Sequence, residues 1–167
     1  MIADGKNKLL KVGINSDIVN CWQACYEKFK NQPEELVSNL HNIESIDEKC
    51  QSIFGYLCNK VRYRLDPDGT QYIKSPARLI SDGCGDCKSL TMFIACCLHC
   101  LGIRCIVRFV NFDGGSQYTH VYPVAIDEMG DEIIMDMCET TGDNASSGVP
   151  LYGYARPYKR KKDIVYE

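Results

Sequence analysis

The chain has 167 residues, 45% hydrophobic and 25% charged, the balance of a globular protein long enough for one proper core and rarely for two. A formal net charge of -3 argues against a generic nucleic-acid binder while leaving room for a local basic patch. No apolar run approaches the roughly 18 residues a bilayer span needs, and MIADGKNKLLKVG at the start lacks the apolar stretch of a secretory signal, so the expected setting is cytoplasmic.

Ser16 through Lys30 reads as a helix with Ser16 as its N-cap and Ile18, Val19, Trp22, Tyr26 and Phe29 on one face. Pro33 suits the first turn of a second helix, where Glu34 and Glu35 complement the positive end. Ser45 through Val61 is a third, with Ile46, Ile53, Phe54 and Leu57 at helical spacing. Asp66-Pro67-Asp68-Gly69 is a strong turn, and Gln71 to Gly85 is expected to be irregular or short-helical. Cys87 to Leu101 should be helical, stopped by Gly102, and apolar on every side from Met92 to Leu98, as a buried helix is. Arg104–Phe112, Tyr118–Ile126 and Glu132–Cys138 are strand candidates joined by turns at Asp113-Gly114-Gly115 and Met129-Gly130-Asp131. Helices followed by an antiparallel sheet give an α+β fold, read as a single domain over 1–167 with a helical N-terminal region over 1–66, a core over 67–138 and an extension over 139–167. The extension turns polar and Gly-rich, then aromatic, and carries a basic run from Arg156 to Lys162. It reads as a solvated tail, with docking to an acidic partner or to nucleic acid, or contacts within an assembly such as a phage particle, as the functional alternatives.

Eleven cysteines do not make a disulfide scaffold here. Cys21, Cys25, Cys58, Cys96, Cys97 and Cys100 sit inside apolar helical stretches, where free cysteine acts as a small buried hydrophobe. A reducing compartment is the expected home.

Cys87 is different. A Gly-rich turn delivers it to the first turn of the apolar helix, where unpaired N–H groups and the helix dipole favour a thiolate. Of three histidines, His41 lies in a polar segment and His99 lies twelve residues along the helix, about 18 Å from Cys87. His120 remains as the base, on a strand where it shares a face with Tyr122. Asp136 closes an apolar strand and must find a partner or face water. Beside a neighbouring His120 it would fix the imidazole tautomer. Cysteine, histidine and aspartate thus occur in the order a thiol–imidazole–carboxylate relay uses.

Three alternatives stand beside that reading. Cys84-x-x-Cys87 and Cys97-x-x-Cys100 have the form of a zinc tetrad, but one continuous helix would hold Cys87 and Cys97 about 15 Å apart. Cys84 and Cys87 could form a redox pair, although no convincing strand precedes them. The fold could also serve as a non-catalytic binding or structural module.

The stretch GCGDCKSLTMFIACCLHCLGI, then THVY, then IIMDMC, resembles the transglutaminase-like cysteine-enzyme superfamily, papain-like in its core. The likeness is to small bacterial and phage members with a Gly-Asp-Cys-Lys/Asp motif, and it covers about Gln71 to Cys138. It implies Cys87 as nucleophile, His120 as base and Asp136 as its orienting partner. Related domains often carry a glutamine ahead of the cysteine, which makes Gln71 a candidate oxyanion donor beside the Cys87 N–H, although an ordinary loop residue fits there too. Asp86 matches the family's aspartate and suits a helix cap. The implied chemistry is acyl transfer at an amide of a protein or peptide through a thioester. Hydrolysis is favoured over protein cross-linking, and no metal or organic cofactor is implied.

Overall fold

A computed structural model of the protein describes residues 16–138, 152–154 and 156–167. Helix α1 (Ser16–Phe29) leads into a single turn, α2 (Glu34–Val37), continued by a 3-10 turn over Ser38–Asn42. Helix α3 (Ile46–Lys60) is capped by Ser45, whose hydroxyl accepts the Glu48 N–H. The Ser16 side chain, expected to cap α1, lies outside the described residues.

The segment between the Asp66 turn and Cys87 is short-helical. In α4 (Pro76–Asp82), Ser75 caps the start, Pro76 occupies the first turn and Gly83 ends the helix at φ 64°. Two short strands, β1 (Arg62–Tyr63) and β2 (Cys84–Gly85), pair in parallel just before helix α5 (Cys87–Cys100).

The main sheet has strand order β5-β4-β3-β6 and is antiparallel throughout: β3 (Cys105–Asn111), β4 (His120–Ile126), β5 (Glu132–Ile134) and β6 (Arg160–Tyr166). The third predicted strand is shorter than expected, because pairing stops at Ile134 and leaves Asp136 beyond the ladder. The solvated-tail reading of the basic C-terminus is corrected. Arg160–Tyr166 pairs with β3 over its whole length as an edge strand. Its Ile164 and Tyr166 pack on the core, where Tyr166 meets the rings of Trp22 and Tyr26. Its lysines suit an exposed edge, where charge discourages further strand addition. The polar stretch 139–151 lies outside the described residues.

Helix α5 runs through the middle of the molecule, with every residue from Leu90 to Leu98 buried. It packs against α1, α3, α4 and the sheet. Buried Trp22 donates its indole N–H to the Lys88 carbonyl at 3.0 Å, tying α1 to the start of α5. Cys25, Cys96 and Cys97 are core residues as expected and Cys21 and Cys100 are partly buried, but Cys58 is exposed on the outer face of α3. No helix among the described residues is long and apolar enough to cross a membrane.

Candidate active site

The start of α5 is built from close contacts. A Cβ on Gly85 would stand 2.6 Å from Leu79 Cδ1 and 3.2 Å from Ser89 Cβ, so only glycine lets β2 approach the helices this tightly. Asp86 caps α5 by accepting the Lys88 N–H at 3.1 Å. The Asp86 carboxylate also pairs with the Lys88 ammonium, which lies 3.3 Å from Asp66. All three side chains are less than a tenth exposed. Burial alone would push Lys88 down, but the adjoining Asp86 carboxylate and neighbouring charges hold it above its ordinary value. Asp66 further accepts the Tyr72 N–H at 2.6 Å. This buried network fixes the backbone on both sides of Cys87, the first residue of α5.

One turn along the helix, the Thr91 hydroxyl donates to the Val121 carbonyl at 3.1 Å, which sets α5 against β4 beside His120. The imidazole heads β4, stacked on Phe112 with centroids 5.7 Å apart and 5.8 Å from Tyr122, the face-sharing neighbour expected from strand alternation. Its Nε2 lies 2.7 Å from Asp136 Oδ2, and Asp136 Oδ1 accepts the Cys138 N–H at 3.0 Å. Asp136 is only 1% exposed. With both oxygens occupied and the carboxylate out of water, its orientation is fixed. Cys87 is close enough to His120 to act on the charge of its ring. Burial pushes His120 down, yet the hydrogen bonds and charges of Asp136 and Cys87 outweigh that and raise it to about 10. The imidazole is therefore held as the cation at neutral pH.

Three expected residues, Cys87, His120 and Asp136, are thus brought together around one imidazole, with His120 and Asp136 hydrogen-bonded. Gln71 is exposed on the strand-free segment before α4, and its amide makes no hydrogen bond among the described residues. Tyr63 is a neighbour that sequence reasoning missed. It is 44% exposed, but desolvation at its ring, then the nearby Cys138, Cys87, Asp86 and Asp136, push its phenol above its ordinary range. A two-residue strand is too short to show periodicity, so nothing in the sequence singled Tyr63 out.

The two metal- and redox-type alternatives fare differently from the relay. Helix α5 is unbroken from Cys87 to Cys100, which separates the two halves of the supposed zinc tetrad by about 15 Å. Cys84 does lie on a strand, β2, but that strand has two residues and pairs only with β1. Five other cysteines are poor nucleophiles. Burial pushes Cys96 and Cys97 well up, Cys50 and Cys105 to about 12, and Cys100 to about 11.

No family model and no curated protein matches the sequence. Among solved structures, LapG of Legionella pneumophila is similar over 94% of this chain and 76% of its own, at 16% identity and a TM-score of 0.51. Its calcium-bound form gives 94%, 78%, 16% and 0.50. A candidate cysteine protease from Cytophaga hutchinsonii is matched over 94% of this chain at 15% identity and a TM-score of 0.45, and this chain spans only 54% of that one. At such identity the likeness concerns architecture, and on that ground this chain has the transglutaminase-like, LapG-type fold.

Proposed function

We propose that the protein is a cysteine peptidase or amidase that cleaves amide bonds of a protein or peptide substrate. The observation that carries this is the 2.7 Å contact between His120 Nε2 and the buried Asp136, with Cys87 acting on the same imidazole. The Cys87 thiolate attacks the carbonyl carbon, and the oxyanion is received by the Cys87 N–H at the helix start, with the Gln71 amide or the Tyr63 phenol as the second donor. As the tetrahedral intermediate collapses, the His120 cation gives its proton to the departing amine and a thioester remains. His120, now neutral, takes a proton from water, which attacks the thioester and releases the acid. Asp136 holds the ring's tautomer and orientation and supports its positive charge throughout.

An amine in place of water would turn the same thioester into a cross-link, and a non-catalytic module would use none of these steps. Hydrolysis is favoured because water needs no dedicated acceptor site. Eleven free cysteines, five of them buried, fit a reducing, cytoplasmic setting. The test is to incubate the protein with a proteome-derived peptide mixture and a fluorescent primary amine under reducing conditions, with Cys87→Ala as the blank. New peptide termini are expected. Amine incorporation without new termini would identify a transamidase, and neither product would leave the binding module.

A further inference from the structure

The C-terminal segment does more than complete the sheet. Gly153 N–H donates to the Ile134 carbonyl and Lys159 N–H to that of Asn111, at 2.9 and 3.0 Å, and the Tyr152 hydroxyl donates to Asp47 at 2.7 Å. Residues 156–160 are thereby laid along the connecting loop of the β3–β4 hairpin, which leads directly into His120. The hairpin is itself well braced, since Asn111 Oδ1 accepts the N–H groups of Asp113, Gly114 and Gly115. The Arg156 guanidinium sits 4.3 Å from the centre of the Phe112 ring, the same ring that stacks on His120. Arg160 lies 5.6 Å from the Tyr118 ring, and the Lys159 stem runs against Gly114. Arg156, Lys159 and Arg160 are exposed, and none has an ion-pair partner among the described residues. The hairpin answers with a single acid, Asp113.

We propose that Arg156, Lys159 and Arg160 form a cationic rim around the end of the sheet that carries His120, Arg156 on the His120 face and Arg160 on the other, and that this rim selects acidic peptide segments flanking the amide to be cleaved. This rests on the cysteine-peptidase reading above. Cation–π contact with Phe112, and a looser one with Tyr118, positions the two guanidinium groups, and a guanidinium can receive a carboxylate in two parallel hydrogen bonds. The cations are concentrated at one end of the sheet in a chain of net charge -3, so their field acts on what approaches the thiol rather than on polyanions in general. That favours an acidic peptide over a nucleic acid.

The test compares alkylation of Cys87 by iodoacetate, an anion, with alkylation by neutral iodoacetamide. In both, the sulfur forms a bond to the methylene carbon as iodide leaves. At low salt the iodoacetate-to-iodoacetamide rate ratio is expected to fall about three- to tenfold in an Arg156→Gln/Arg160→Gln variant, and likewise for the unaltered protein in about 0.5 M salt. A glutamate-rich peptide should slow iodoacetamide labelling of Cys87, and its glutamine counterpart should not. An unchanged ratio in the variant, equal protection by the glutamine peptide, or stronger protection by a single-stranded oligonucleotide would each overturn the rim while leaving the cysteine mechanism standing. Failure of Cys87 to react with the neutral reagent ahead of the other cysteines would instead overturn that mechanism, and the rim with it.

Discussion

Replacing Cys87 with alanine is expected to lower kcat/KM for any cleaved peptide by about 10⁴-fold or more with little change in thermal stability. In the proposed mechanism Cys87 alone forms the thioester, and Cys96, Cys97 and Cys105 in the core are held as thiols by burial. The residue is only partly buried, at the end of α5 where the helix emerges from the core. Alanine is also the better helix former. The network that seats this end of the helix, Asp86, Lys88 and Asp66, does not pass through the thiol. Turnover of a peptide identified from the mixture, with a thermal melt on the same sample, measures both halves. Full turnover by Cys87→Ala would mean that the thiol is not the nucleophile.

Asp136→Ala is expected to act on activity and stability together. Catalysis should fall by about 10²- to 10⁴-fold, less completely than with Cys87→Ala, because the thiol and imidazole remain but the ring is no longer fixed. Stability should fall by about 3 kcal/mol, since a buried ion pair loses one partner. The pH dependence gives this prediction its sign. His120 is raised from about 6.5 when unfolded to about 10 when folded. The stability it contributes is therefore fully present below about pH 6.5 and is lost as pH rises through about 10. Asp136 is a main source of that rise, so the stability gap between the protein and Asp136→Ala should be widest near pH 6 and close toward pH 10. Urea denaturation at pH 6, 8 and 10 reads it directly. A gap that widened with pH would contradict the charged imidazole.

The three residues of the proposed relay were legible in the sequence because each announces itself locally. Cys87 follows a Gly-rich turn and opens an apolar helix, His120 leads an alternating strand, and Asp136 closes an apolar run. The hairpins were equally plain, and Gly114 and Gly130 do adopt the positive φ their turns require, 86° and 89°. What stayed hidden depends on partners distant in the chain. Strand β6 is mostly charged, and its pairing with β3 spans about fifty residues, so its basic composition read as a solvated tail. Lys88 and Asp66 look like surface charges until the fold buries them together. Tyr63 joins the site only because β1 pairs with the strand before Cys87. Cys58 fails the other way, since its helix is apolar on the opposite face.

Iodoacetamide labelling at pH 6.5 under reducing conditions, read cysteine by cysteine by mass spectrometry, tests the thiolate–imidazole pair most directly, because ordinary thiols near pKa 8.5 are almost wholly protonated there. Cys87 should label first among the eleven, ahead of the exposed Cys58, and its advantage should disappear in His120→Ala. Equal labelling of Cys87 and Cys58, or a His120→Ala variant that labels as fast as the unaltered protein, would contradict the pair, and first labelling of Cys84 would point to redox chemistry instead.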